Sequence, residues 1–185
     1  MFEKTEMQRN ESGQPVSQAP QKSLLQIIED TRETLPLSFA KFKDVEVIRT
    51  KLDAGDYSIV GFQNKISFER KSVGDAVSTL IGGHQRFLRE LERMKSYEER
   101  YILIEHSPTV LYNYCATHGW QHKFDIVIQS LLAYAHHYNC RVRFCKNRDD
   151  MAAYIVRKCK EFVEKQNDTA MPSVPPTHNT NANGS

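Results

Sequence analysis

Gly55-Asp56-Tyr57-Ser58-Ile59-Val60-Gly61-Phe62-Gln63-Asn64-Lys65-Ile66-Ser67-Phe68-Glu69-Arg70-Lys71 is the stretch on which the fold turns. Two short runs rich in β-branched and aromatic residues, Tyr57–Val60 and Lys65–Lys71, flank Gly61-Phe62-Gln63-Asn64, which has the composition of a hairpin connection. With the pivot at Phe62-Gln63, Asp56 falls opposite Glu69, and side chains directly across an antiparallel pair point to the same face. Lys71, two residues further on, shares that face. The rest of the alternation agrees: Tyr57 and Ile59 join Ile66 and Phe68 on an apolar face, leaving Asp56, Ser58, Ser67, Glu69 and Lys71 opposite. One face is expected to be core and the other a charged site.

On either side of the hairpin the hydrophobic period alternates between strand and helix. The apolar run Leu24–Ile28 ends in the polar cluster Asp30–Glu33, as in a buried strand that delivers charged residues at its C-terminal end. Val45–Leu52 reads as a second strand. After Asp75 the period becomes helical, with Val77, Leu80 and Ile81 on one stripe and Phe87, Leu88, Leu91 and Met94 on the next; Gly82-Gly83 between them kinks or splits the helix. A continuous apolar strand at Tyr101–Glu105 follows, then helices near 108–118 and 123–138, a strand at Arg141–Cys145 and a helix from Asp149 to Lys165. Strands interleaved with helices imply an α/β sandwich around a mixed sheet, the mixed part being the hairpin.

The chain has 185 residues, enough for one core, and its 39% hydrophobic and 26% charged residues are those of a globular domain. Residues 1–22 and 167–185 are polar, with few large apolar side chains, and read as disordered tails around a folded unit at 23–166. A net charge of +2 neither demands nor excludes a polyanionic partner, so any nucleic-acid surface must come from local clustering of Lys and Arg. Cys115, Cys140, Cys145 and Cys159 are widely spaced, form no CxxC pair and read as reduced interior residues. No apolar run approaches the roughly 20 residues of a membrane span, and the N-terminus is polar where a signal peptide would be apolar. The expected setting is intracellular: cytoplasm or nucleoid for a prokaryotic or viral protein, nucleus for a eukaryotic one.

Two carboxylates at the Asp56–Glu69 separation suit Mg²⁺, which takes one or two carboxylates together with water and substrate phosphate; Mn²⁺ is expected to substitute. Such an ion lowers the pKa of a bound water and neutralises charge developing on a phosphodiester. Lys71 is then placed to orient the water or bind the phosphate. The competing reading is a solvated strand face carrying a surface ion pair worth ~0–1 kcal/mol.

The exact string separates these readings. Gly55-Asp56-Tyr57 followed by Glu69-Arg70-Lys71-Ser72-Val73-Gly74-Asp75 resembles the GDx(n)ERKx3D signature of the XPF family of structure-specific endonucleases. Asp30-Thr31-Arg32-Glu33, with Pro36 shortly after, is similar to the DxRE segment that opens that nuclease domain, and the likeness runs from Leu24 to Lys165. The resemblance implies a restriction-endonuclease-like three-layer sandwich with a central mixed β-sheet. It puts Asp56, Glu69 and Lys71 in the places of the acidic pair and lysine of a PD-(D/E)XK site, with the Arg70 carbonyl completing the metal shell. Asp30 and Glu33 match accessory acidic positions that hold outer-shell water or a second metal, and Asp75 would anchor the following helix. The Arg70 side chain, turned away from Asp56 by alternation, either braces Asp30, Glu33 or Asp75 or contacts phosphate, and bracing is the preferred reading.

Weaker signals stay open. Arg86, Arg89 and Arg93 form a basic stripe that either tracks DNA phosphates, together with Lys71, or is an ordinary solvated face interleaved with Glu90 and Glu92. His118, His122, His136 and His137 match no closed zinc set. Trp120, Tyr112, Tyr114, Tyr134 and Tyr138 either stack on unpaired bases or belong to core or interface. The helix at 123–138 carries too many apolar residues for one stripe, so it is either sandwiched in the core or meets another subunit. Family members that cut forks and flaps carry a tandem helix-hairpin-helix module, and residues 167–185 cannot form one. The expectation is a Mg²⁺-dependent DNA endonuclease serving repair, recombination or replication, working alone, as a homodimer or with a heterologous partner. The alternatives are a catalytically silent DNA-binding or dimerisation partner and a nuclease without structure specificity.

Overall fold

The computed structural model describes residues 24–82 and 84–170. The expected tails at 1–22 and from 171 onward lie outside these residues. In chain order the elements are β1 (Leu25–Glu29), β2 (Val45–Arg49), β3 (Tyr57–Ile59), β4 (Ile66–Lys71), α1 (Val73–Ile81), α2 (His84–Met94), β5 (Glu99–Glu105), α3 (Pro108–Thr117), α4 (Gln121–His137), β6 (Arg141–Cys145) and α5 (Arg148–Ala170).

The strands form a six-stranded sheet in the order β2-β1-β3-β4-β5-β6. β1 pairs parallel with β2, β4 with β5, and β5 with β6, whereas β3 is antiparallel to both β1 and β4. Five strands therefore run one way and β3 alone opposes them. The carboxyl ends of β1, β4 and β5 and the amino end of β3 all meet at one edge of the sheet. Open α/β sheets bind ligands beyond the carboxyl ends of their strands, and here that edge receives the charged residues at the end of each run.

Strand alternation divides the core in two. Ile27, Tyr57, Ile59, Ile66, Phe68, Tyr101 and Leu103 face α5 and pack on its Met151, Ile155, Cys159 and Phe162. Phe68 and Tyr101 stack with centroids 4.8 Å apart and planes 11° from parallel. Ile102 and Ile104 face the other way, onto Val77 and Leu80 of α1, Phe87 and Leu91 of α2, Cys115 of α3 and Leu131 of α4. Helices on both faces of a central mixed sheet make a three-layer sandwich.

The hairpin has the expected register, with Tyr57 paired to Phe68. Its polar face is less open than the alternation implies. Ser58 and Ser67 are fully buried, Ser67 against the Ala54–Gly55 segment, and they satisfy their hydroxyls by donating to the Ile66 and Ala54 carbonyls. Only the end of that face, at Asp56, Glu69 and Lys71, remains ionic, because a small hydroxyl that finds a backbone acceptor can be covered and a carboxylate cannot cheaply be.

The other differences are at element ends. The strand read over Val45–Leu52 stops at Arg49, and the Leu52 amide goes to the Asp30 carboxylate instead of to a ladder. The helix read from beyond Asp75 is two helices: α1 starts at Val73, capped by Ser72, and ends at Ile81 with Gly82 as its C-cap. α4 begins at Gln121, and α5 continues to Ala170, so residues 167–170 are helix where a tail was expected. α4 is not sandwiched: Val127 and Leu131 are buried, but Ile126 and Leu132 are 48% and 57% exposed. All four cysteines are free and buried, as expected. No helix among the described residues is long and apolar enough to cross a membrane.

Candidate active site

A cavity of about 340 Å³ opens at the carboxyl edge of the sheet, lined by Asp30, Glu33, Asp56, Glu69, Lys71 and Glu90 among others. The hairpin supplies its centre. The Asp56 N–H donates to the Phe68 carbonyl at 2.8 Å and the Asp56 carbonyl accepts the Asp30 N–H at 2.8 Å, fastening Asp56 to β4 and to the end of β1 just before β3, with its carboxylate near that of Glu69. Asp56 Oδ2 accepts the Arg70 N–H at 2.7 Å, so the carboxylate is held across the end of β4. The preceding Gly55 has φ +79°, and a Cβ there would lie 2.0 Å from Ser67 Oγ. That hydroxyl is buried and committed to Ala54, so only glycine fits the bend that aims Asp56.

Glu69 and Lys71 are two residues apart on one strand and share a face. Lys71 Nζ donates to Glu69 Oε1 at 2.6 Å and lies 4.5 Å from the centroid of the Phe87 ring, which fixes the ammonium from the helix side. Glu69 Oε2 is buried with no hydrogen-bond partner. A buried ionic oxygen without a donor is costly, of order 1–3 kcal/mol or more, and is an acceptor waiting for a donor or a cation.

The electrostatics follow from the crowding. Burial, then the charges of Glu69 and Glu33, pushes the Asp56 carboxyl well above the usual range, against the Arg70 amide and Lys71. Burial, together with Glu90 and Glu33, pushes Glu69 up to about 7, against the Lys71 ammonium. Burial alone would lower Lys71, but Glu69 and Asp56 outweigh it and its pKa rises, so the ammonium stays charged. One ammonium thus faces two buried carboxylates, a shortfall of positive charge that a divalent cation relieves.

The Arg70 side chain turns to the opposite face, as alternation requires. Its Nε and Nη2 donate to both Glu33 oxygens at 3.1 and 3.2 Å, and Nη1 donates to Glu105 Oε2 at 3.1 Å. Of the three acids weighed as its partner it takes Glu33, and adds Glu105, which sequence pattern does not reveal. Arg148 reaches Glu105 Oε1 at 3.5 Å and the Leu35 and Pro36 carbonyls, tying the 33–36 loop to α5. Asp30 is held by Arg32 instead. Its oxygens accept the Arg32 N–H at 2.8 Å, Nε at 2.7 Å and Nη2 at 3.0 Å, and the Leu52 N–H at 2.6 Å. Asp30 lines the cavity with four donors on it; burial would raise its pKa, but these bonds hold it low. Asp75 closes a reciprocal cap with Ser72: its N–H donates to Ser72 Oγ at 3.1 Å, and that hydroxyl donates to Asp75 Oδ2 at 2.6 Å.

The three arginines of α2 differ. Arg86 lines the cavity, Arg89 is exposed and does not line it, and Arg93 Nε donates to the Asp53 carbonyl at 3.0 Å. Glu90 lines the cavity, accepts the Gly55 N–H at 3.1 Å and was not singled out by the sequence pattern. The signal was there: Arg86, Glu90 and Arg93 are spaced i, i+4, i+7 and share one helix face. The His118 ring lies between Tyr114 and Trp120. Among the described residues no group of three or more His, Cys, Asp or Glu converges as a ligand set. A cation here relies on two carboxylates with backbone and water oxygens, the shell Mg²⁺ accepts.

The six-stranded mixed sheet between two helix layers has the restriction-endonuclease-like architecture. A family model, the ERCC4 domain, matches residues 29–158, and the chain belongs to that family. Among solved structures the chain is similar to XPF from Aeropyrum pernix, with a TM-score of 0.60, 20% identity, and coverage of 78% of this chain and 68% of that one. It is equally similar to XPF from Aeropyrum pernix in complex with DNA, with a TM-score of 0.60, 21% identity, and coverage of 77% and 66%. At these identities the likeness carries the fold. No curated protein matches the chain.

Proposed function

We propose that this chain is a divalent-cation-dependent DNA endonuclease that hydrolyses phosphodiester bonds in branched or structured DNA. The observation that carries the proposal is Glu69: a buried carboxylate with one oxygen on Lys71 and the other unpartnered, set opposite Asp56 in an open acidic cavity. Asp56, Glu69 and the Arg70 carbonyl are the proposed cation ligands, with Mg²⁺ as the ion and Mn²⁺ as its substitute. A bound cation would neutralise phosphate charge and make a bound water more acidic.

The chain's own groups do the rest. Lys71 is pinned by Glu69 and Phe87 and stays charged, so it presents a fixed donor to a phosphate oxygen or to the attacking water. Arg70 and Arg148, with Glu33 and Glu105, tie the loop after β1 to β4, β5 and α5 at the side of the cavity. Arg86 at the rim is the proposed phosphate contact on α2, and Arg89 extends it along the helix. The open Ile126–Leu132 face of α4 is where a homodimer or a heterologous partner would dock to lengthen the DNA grip.

The test is a panel of labelled flap, fork, junction, single-stranded and plain duplex DNA incubated with protein in Mg²⁺ and in EDTA. Cleavage is expected only in Mg²⁺ and fastest on the branched substrates. Binding without cleavage of any substrate would make the chain a silent DNA-binding partner, and equal rates on all substrates would remove the structure preference.

A further inference from the structure

Loop 53–56 carries Asp56 into the site: Asp56 is tied by its own backbone to Asp30 and Phe68, whereas residues 53–55 lie outside every strand. One side of it is held by the β1 end, where Asp30 accepts the Leu52 N–H and Arg32 Nη2 donates to the Leu52 carbonyl at 2.8 Å. The other side is held by α2. Glu90 accepts the Gly55 N–H at 3.1 Å, and Arg93 Nε donates to the Asp53 carbonyl at 3.0 Å. These two bonds grip the successive peptide units 53–54 and 54–55, one residue short of Asp56, from one face of the helix. α2 itself is seated by Phe87, Leu91 and Met94, which are buried against the sheet. Its position is therefore transmitted to the loop.

We propose that Glu90 and Arg93 are positioning residues for Asp56, fastening loop 53–56 to α2 so that the Asp56 carboxylate faces Glu69. The proposal rests on the reading of Asp56 and Glu69 as a cation site. It also gives Arg93 a different task from its neighbours: Arg86 meets the substrate, whereas Arg93 meets the chain's own backbone. Because α2 carries Arg86, DNA engaging that side chain bears on the same helix that holds Asp56.

Four variants test this: Glu90→Ala, Glu90→Gln, Arg93→Ala and Arg86→Ala. The readouts are the Mn²⁺ dissociation constant, single-turnover cleavage, DNA affinity across a salt series, and hydrogen exchange at the Gly55 amide. Loss of an outer-shell partner typically costs 10–100-fold in metal affinity, so Glu90→Ala and Arg93→Ala should each weaken Mn²⁺ by about tenfold and slow cleavage similarly. DNA affinity and its salt slope should not change in either. Glu90→Gln keeps an oxygen that accepts the Gly55 N–H and should stay within about threefold of wild type, with Gly55 exchange slow as in wild type. Arg86→Ala should reduce the salt slope by about one and leave Mn²⁺ binding alone.

A lower salt slope with unchanged Mn²⁺ affinity in Arg93→Ala would make it a phosphate contact and overturn its half of the proposal. Wild-type Mn²⁺ affinity and Gly55 exchange in Glu90→Ala would overturn the other half. If wild type bound no Mn²⁺ and cut no DNA, the functional reading would fall by itself. Gly55 exchange would still decide the tether, supporting it if faster in Glu90→Ala than in Glu90→Gln and refuting it if equal.

Discussion

Asp56→Asn and Lys71→Met are both expected to reduce cleavage by about a thousandfold or more, the scale on which removal of one preorganised charged group acts, while moving stability in opposite directions. Asp56 is ionised at a cost in the free protein. Its folded pKa lies above the unfolded value, so as pH rises past the unfolded pKa the native state loses stability relative to a neutral side chain. Asparagine removes that cost and still accepts the Arg70 N–H, so the melting temperature should rise at pH 8. Lys71→Met does the reverse, because it leaves Glu69, 4% exposed, without its only donor. Breaking a buried pair by removing one partner costs about 3–5 kcal/mol, and protonation of Glu69, already pushed up to about 7, trims this toward the lower end. Thermal denaturation beside initial-rate cleavage reads both effects. A cleavage loss that tracked loss of fold in both variants would leave the catalytic roles without support.

The second large effect is structural. Arg70→Ala is expected to destabilise the protein by about 3 kcal/mol, since it removes a guanidinium only 6% exposed and leaves Glu33 with the Leu35 N–H and Glu105 with Arg148 alone. Arg70→Lys should recover little, because one ammonium cannot serve three carboxylate oxygens in a planar fork. Glu33 adds a pH signature. Burial would raise its carboxyl, but the Arg70 and Leu35 bonds win and hold its folded pKa below the usual value. Its contribution is therefore present above the unfolded pKa and lost as pH falls through the folded one. Urea denaturation between pH 3 and 7 should show wild type losing stability toward acid and Arg70→Ala losing less. A cost under about 1 kcal/mol at pH 7 would mean that Arg70 is not the keystone of this edge.

The hairpin was legible because its information is local. Alternation with period two and a four-residue connection set the register, and the register set Asp56 against Glu69 with Lys71 beside them. The sandwich was legible for the same reason: each strand and helix announces itself by its own period. What the pattern did not yield depends on contacts far apart in the chain. Glu105 meets Arg70 only because β4 and β5 pair in parallel, and Ser67 is covered because the Ala54–Gly55 segment lies against it. The Leu52 amide that Asp30 accepts lies 22 residues on, beyond the reach of a local pattern. Glu90 looked like one acid in a mixed helix face until α2 was placed beside Gly55.

The measurement that bears most directly on the central claim is Mn²⁺ binding, followed by electron paramagnetic resonance, to wild type and to Asp56→Asn at pH 6, 7 and 8. Glu69 pushed up to about 7 and Asp56 raised well above its usual value mean that protons and cation compete for the same oxygens. Wild-type affinity should therefore climb steeply from pH 6 to pH 8, as cation binding releases up to two protons, and Asp56→Asn should bind far more weakly with a shallower slope. Binding that is independent of pH and unaffected by Asp56→Asn, or no binding at all, would contradict the assignment of this pair as the cation site.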